Sequence, residues 1–99
     1  MAIAMLLEWA DMDEAKYLEL IERLGLGDRM FPGAVLHLAG PNEGGWRAVD
    51  VSESQEAFDR FFTEKLQQAS MEAGIDAPSV SVWPVLAIRT PQGVPEPQR

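Results

Sequence analysis

Ile3 to Trp9 is a run of apolar side chains interrupted only by Glu8, with little period-two alternation. That pattern predicts a strand covered on both faces. Asp11 and Glu14 have capping-box spacing, and Asp13 adds negative charge beside them, so a helix is expected to start at Asp11. Ala15, Leu18, Ile21 and Leu24 then recur at helical spacing, and Tyr17 and Leu20 widen the apolar stripe. Gly25-Leu26-Gly27 stops the helix. Asp28 to Gly33 is a loop ending in a Pro32-Gly33 turn signal.

Ala34 to Ala39 reads as a second strand, apolar except for His37. Gly40 to Gly45, with three glycines and a proline, is expected to be a six-residue hairpin loop. Trp46 to Val51 is the third strand. Ser52 with Gln55 fits a capping box, and Ser54 is a rival N-cap. Ala57, Phe58, Phe61, Phe62, Leu66, Ala69 and Ala73 follow on one helical face up to Gly74. A fourth strand is expected from Val80 to Ile88; Pro84 within it lacks a ladder N–H, which places the strand at an edge or on a bulge.

The order β-α-β-β-α-β is the split βαβ of ferredoxin-like α+β folds. Residues 1–90 are expected to form one domain. Residues 91–99, with prolines and no apolar cluster, are expected to be a disordered tail. Two helices can cover only one face of a four-stranded sheet, yet the strands are apolar on both. A homodimer formed through the second sheet face is the simplest way to bury it.

Composition sharpens that expectation. A chain of 99 residues is marginal as a lone domain, and 46% hydrophobic residues is more than its own core should need. The net charge of −8, from 16 acidic and 8 basic residues, argues against nucleic acid and anionic membrane surfaces as partners. The N-terminal apolar run is short, lacks a basic flank and reaches Glu8 quickly, so neither a signal peptide nor a membrane span is expected. The chain has no cysteine and hence no disulfide framework; a cytoplasmic protein fits.

Few side chains offer chemistry. His37 is the only histidine, and an imidazole is the side chain best suited to exchange protons near neutral pH. The competing reading is a half-buried, hydrogen-bonded and inert histidine. Asp50 lies between Val49 and Val51, where a carboxylate needs a partner. It either pairs with a cation, caps a backbone group or works as a base in a cavity. Trp46, Ala48, Asp50 and Ser52 share one strand face; whether His37 shares it depends on the hairpin register. Trp9, Trp46, Trp83, Phe58 and Phe62 fill a core or interface, or form the wall of a site for a flat organic ligand. Met5, Met30 and Met71 are candidate adaptable wall residues. Arg29 and Arg47 are candidate anchors for an anion, and Arg47 is equally explained by a surface ion pair. One histidine and no cysteine make a tight zinc site a poor fit. "GPNEGG" joins two strands and so is no phosphate loop, and no G-x-S-x-G elbow is present.

The segment "HLAGPNEGGWRAVDVSESQEAFDRFFTEKL", His37 to Leu66, resembles small actinobacterial-type proteins of the dimeric α/β-barrel superfamily. That superfamily includes antibiotic-biosynthesis monooxygenases, haem-degrading oxygenases, muconolactone isomerases and polyketide cyclases. The resemblance implies a homodimeric α/β barrel. It also implies a cofactor-free enzyme of monooxygenase, cyclase or isomerase type acting on a hydrophobic aromatic or polyketide-like molecule. On that reading His37 or Asp50 moves a proton, and Trp46, Ser52, Trp9, Phe58, Phe62 and Trp83 are the residues expected to contact substrate. Ser52 stands where related sequences carry a tryptophan. The other reading is a non-catalytic module that binds a small ligand or serves as a dimeric subunit. An open cavity with His37 or Asp50 converging on it would separate the two.

Overall fold

Ile3–Trp9 forms strand β1, and its side chains Met5, Leu7 and Trp9 point to one face, where they are 0%, 1% and 7% exposed. The computed structural model describes residues 1–89 and 91; residues 90 and 92–99, which hold nearly all of the expected tail, lie outside the described residues. β1 occupies a central position in the sheet, which is why its sequence is apolar at almost every position. Helix α1, Glu14–Leu24, follows, then β2, Ala34–Asn42, and β3, Gly45–Ser52. A long helical segment comes next, made of α2 (Gln55–Phe61), one π-helical turn (Phe62–Leu66) and α3 (Gln67–Glu72). β4, Ser79–Pro84, completes the sheet in the order β2-β3-β1-β4, with every neighbouring pair antiparallel. This is the expected ferredoxin-like α+β fold.

Several element ends differ from the sequence expectation, each for a local reason. The N-cap of α1 is Asp13, not Asp11: its carboxylate accepts the Lys16 N–H at 2.9 Å. Met12 is 4% exposed, so the chain first turns to bury it and only then enters the helix. The buried face of α1 runs through Tyr17, Leu20, Ile21 and Leu24, whereas Ala15 and Leu18 lie outside. Gly25 caps the end in the left-handed region, φ 69°, where a glycine meets no Cβ penalty. The six-residue hairpin loop is instead a two-residue turn, Glu43-Gly44, because β2 runs on to Asn42 and β3 begins at Gly45. Pro41 is tolerated in that extension because β2 is an edge strand. β4 stops at Pro84, not Ile88. Pro84 pairs with Ile3 at the start of β1, so residues beyond it run off the end of their partner; one further bond joins Val85 N–H to Ala2 O at 2.8 Å.

The cap of the second helical segment is Ser54, whose hydroxyl accepts the Ala57 N–H at 3.1 Å. Ser52 does not form the expected capping box. Its hydroxyl donates to Ser54 O at 2.8 Å and it is fully buried at the junction of β3 and the helix. Ser54→Ala is therefore expected to cost about 1 kcal/mol, which lowers the melting temperature by roughly 4–8 °C in a thermal denaturation monitored by circular dichroism. The π-helical turn has a visible cause in the spacing. Phe61 and Leu66 are both buried but lie five residues apart, and a regular α-helix would put them on different faces. The wider turn brings Leu66 back over the sheet.

The core lies between the helices and the sheet face that carries Met5, Leu7, Trp46 and Ala48, with Phe31, Phe58 and Phe61 against it. Among the described residues no layer covers the opposite sheet face: Leu36, Leu38 and Trp83 are 43%, 55% and 44% exposed. Among the described residues no helix is long and apolar enough to cross a membrane.

Candidate functional site

The β2–β3 hairpin sets the centre of the site. Its register pairs His37 with Asp50, so both side chains project from the same sheet face towards the helices. A register shift between Ala34 and Leu36 lets this pairing coexist with the fixed strand start at Ala34. His37 Nδ1 is hydrogen-bonded to Asp50 Oδ1, and Asp50 is only 6% exposed. On the other side of the ring, His37 Nε2 lies 2.7 Å from the hydroxyl of Tyr17, which reaches down from α1. A carboxylate can only accept, so Nδ1 carries the proton and Nε2 is left to accept the Tyr17 O–H. The result is a continuous chain, Tyr17 O–H to His37 to Asp50. It is the arrangement by which a carboxylate fixes the tautomer of an imidazole and stabilises its protonated form.

The aromatic rings hold this chain in place. The Tyr17 ring lies 5.1 Å from the Trp46 ring at 32°, and its plane is within 2° of the His37 ring. Burial raises the Tyr17 pKa above its ordinary value of 10.0, and the nearby negative charge of Asp50 raises it further. The folded chain therefore keeps this proton at a pH where the unfolded chain releases it. The stabilisation is complete below pH 10.0 and is lost as the pH rises above it. Urea unfolding of wild type and Tyr17→Phe side by side is expected to show the wild type losing stability relative to the variant as pH climbs past about 10.

Beside the chain lies a cavity of about 80 Å³. At 10–15 Å³ for a water, that is space for roughly six waters, or about one aromatic ring. Leu7, Trp9 and Ala48 line it from the sheet, Leu20 and Leu24 from α1, and Phe61 and Leu66 from the second helical segment. Leu26, Arg29, Met30 and Phe31 close it from the loop after α1. Tyr17, His37 and Asp50 are its inner polar groups. A proton-accepting chain facing an apolar wall can take a proton from a hydrophobic molecule bound against it. Among the described residues no group of three or more His, Asp or Glu side chains could hold a metal ion.

Of the residues expected to form a site, His37, Asp50 and Trp9 line this cavity. Trp46 does not line it but packs on Tyr17. The other four stand away from it, in positions that packing accounts for. Ser52 ties the end of β3 to the helix start through Ser54 O. Phe58 packs edge-on against Phe31 at 6.2 Å, and Phe62 leans on Phe58 at 5.9 Å. Trp83 on β4 pairs with Ala4 of β1 and projects from the opposite, uncovered sheet face. Met30 is a wall residue, whereas Met5 is in the core and Met71 is 76% exposed. Arg47 meets Glu8 at 3.3 Å on the outer face, and Arg29 lines the cavity. Tyr17 is the member that sequence reasoning treated only as part of an apolar stripe. A signal was available: it is the single tyrosine, and a buried phenol needs a polar partner, of which the single histidine was the obvious one.

No family model and no curated protein matches this chain. Solved structures do. SnoaB from Streptomyces nogalater, a cofactor-independent oxygenase, superposes with a TM-score of 0.65 at 11% identity, over 85% of this chain and 92% of that one. A candidate antibiotic biosynthesis monooxygenase from Chloroflexus aurantiacus gives 0.60 at 16% identity, over 86% of this chain and 94% of that one. A dimeric ferredoxin-like protein of unknown function from a Jannaschia species gives 0.60 at 16% identity, over 86% of this chain and all of that one. At these identities what is shared is the fold: this chain has the ferredoxin-like architecture found among antibiotic-biosynthesis-monooxygenase-type proteins, as the His37–Leu66 resemblance implied.

Proposed function

We propose that this protein is a cofactor-free acid–base enzyme that removes a proton from a small hydrophobic, aromatic molecule. The observation that carries this reading is the Tyr17–His37–Asp50 chain ending at an apolar cavity. The Tyr17 oxygen takes the substrate proton as its own passes to His37 Nε2, and Asp50 stabilises the imidazolium so formed. Trp46 positions the Tyr17 ring. Oxygenation, cyclisation and isomerisation all begin with such a step. The carbanion left behind either attacks within the same molecule, takes the proton back at another carbon, or gives its electrons to dioxygen, with a CH₂ group and O₂ becoming C=O and water. The likeness in fold to a cofactor-independent oxygenase supports the last of these.

The test is hydrogen–deuterium exchange in D₂O, followed by mass spectrometry, over a panel of monocyclic and bicyclic aromatic compounds with acidic C–H bonds. Wild type should accelerate exchange for members that fit the cavity, and His37→Gln should not. Binding with no exchange by wild type would instead identify a non-catalytic small-ligand module.

The same reading includes a homodimer formed through the uncovered sheet face, in the cytoplasm. Leu36, Leu38 and Trp83 support it, and a structure of similar fold is dimeric. Light scattering at micromolar concentration should give twice the chain mass of 11.0 kDa, and a monomer would rule the interface out.

A further inference from the structure

Tyr17 and His37 are the only tyrosine and the only histidine of the chain, and they are hydrogen-bonded to each other at 2.7 Å. Such a pair can move an electron as well as a proton. A neutral phenol gives up an electron readily only when its proton leaves with it, because the alternative is a strongly acidic radical cation. Burial holds the Tyr17 pKa above its ordinary value, and the Asp50 charge adds to the effect. Near neutral pH there is therefore no phenolate, and electron and proton must leave together. His37 Nε2 already accepts the phenol hydrogen bond, and Asp50 at Nδ1 stabilises the imidazolium that results. The two ring planes lie within 2° of each other. Once protonated, Nε2–H donates back to the phenoxyl oxygen, and no heavy atom has to travel.

An electron route is present as well. Indole is the other side chain oxidised at a potential near that of phenol. The Trp46 ring centroid lies 5.1 Å from that of Tyr17, and Trp46 also lines an outer cleft with Asp13, Pro41 and Gly44. One side chain thus connects the cleft with Tyr17. The chain has no cysteine, whose thiol would reduce a phenoxyl radical. We propose that Tyr17 is a redox-active tyrosine: it gives one electron to an aromatic radical bound in the cavity as its proton passes to His37 Nε2. The ligand radical becomes a carbanion, which takes that proton from the imidazolium. In sum the Tyr17 O–H bond breaks, a ligand C–H bond forms, and a neutral phenoxyl radical remains on Tyr17. Such a ligand radical arises when a bound carbanion yields a single electron to dioxygen and the superoxide departs. An oxidant in the outer cleft draws the same electron through Trp46, with the proton again on His37. The ligand radical as oxidant rests on the proton-removal reading above; the redox pair itself does not.

The test is made without a ligand, so its outcome is separate from that of C–H exchange. Tris(bipyridine)ruthenium(III), generated by a light flash with persulfate, is a cationic one-electron oxidant that the net charge of −8 attracts. Frozen samples are read by electron paramagnetic resonance, and with a single tyrosine any tyrosyl signal belongs to Tyr17. Wild type should give a tyrosyl radical. His37→Gln should give indolyl radicals only, because an amide accepts the phenol hydrogen bond but does not take its proton. Trp46→Phe should lower the tyrosyl yield, and an unchanged yield removes Trp46 from the route. If His37→Gln does not fold, pulsed resonance on wild type in D₂O carries the test: the radical should couple to an exchangeable deuteron and to an imidazole nitrogen. Indolyl radicals alone in wild type, an equal tyrosyl yield in His37→Gln, or a radical with no exchangeable deuteron each overturns the proposal. A tyrosyl radical in wild type, in a protein that exchanges no ligand protons, sinks the proton-removal reading and leaves the redox pair standing.

Discussion

Gly45→Ala is expected to lose most of the folded state at temperatures where the wild type is intact. Gly45 opens β3 beside the end of β1, and a Cβ built on it would overlap the Trp9 carbonyl oxygen and lie 3.1 Å from that of Ala10. Both obstacles are backbone, so no side chain can swing aside. Relief requires β3 to pull away from β1 at the Trp9–Trp46 pair, where two large indoles are buried. A forced insertion of this kind costs about 3 kcal/mol or more, or roughly 12 °C or more in melting temperature for a domain of this size. Gly40→Ala in β2 is the comparison: an added Cβ there meets nothing within 4 Å, and little change is expected. Melting curves followed by circular dichroism decide it, and equal stability of the two variants would show that the strands do not approach as described.

The second large effect is chemical. Asp50→Asn keeps the volume of the side chain but removes the charge and adds an N–H donor next to His37 Nδ1. Nδ1 then accepts, and the proton moves to Nε2. Nε2 faces the Tyr17 hydroxyl, so the position that must receive a proton already carries one. Exchange of acidic C–H bonds should fall by about 10² to 10⁴, the range seen when a general base or its orienting carboxylate is disabled. Binding of the same aromatic compound should change little, because Asn keeps the shape of the lining at this position and the apolar walls are untouched. Exchange at the wild-type rate would mean that the dyad is structural and that the proton leaves by another route.

Where the chain's local chemistry decides an element, the sequence was readable. The apolar run Ile3–Trp9, the cap at Gly25, the edge proline Pro84 and the face shared by Trp46, Ala48, Asp50 and Ser52 all follow from nearest neighbours and period. Ser54 could be named as a cap but not chosen over Ser52. That choice turned on Ser52 being fully buried, which is a tertiary fact. The His37–Asp50 pair was out of reach for the same kind of reason. It depends on a two-residue turn at Glu43-Gly44 and an irregularity near Val35, and a change of one residue in either would have sent His37 to the other face. Tyr17 comes from a third element, 20 positions before His37 along the chain. Its place in the site depends on how α1 is rotated over the sheet, which the stripe on α1 left open between the Ala15–Leu18 and Tyr17–Leu20 faces. Phe58, Phe62 and Trp83 were plausible walls by composition; the helices direct the two phenylalanines into packing, and strand alternation directs Trp83 to the uncovered face.

The π-helical turn at Phe62–Leu66 has a consequence for chain length. Of the five residues it spans, Thr63, Glu64 and Lys65 are exposed, and none of them contributes to the cavity. Removing one of the three would leave Phe61 and the leucine four positions apart, the spacing an ordinary α-helix uses to keep two side chains on one face. Everything after the turn would stay in phase with the core, and the wide turn would have no reason to persist. This helix can therefore be read as carrying one residue more than its architecture needs, a point at which relatives of different length could keep the same cavity wall.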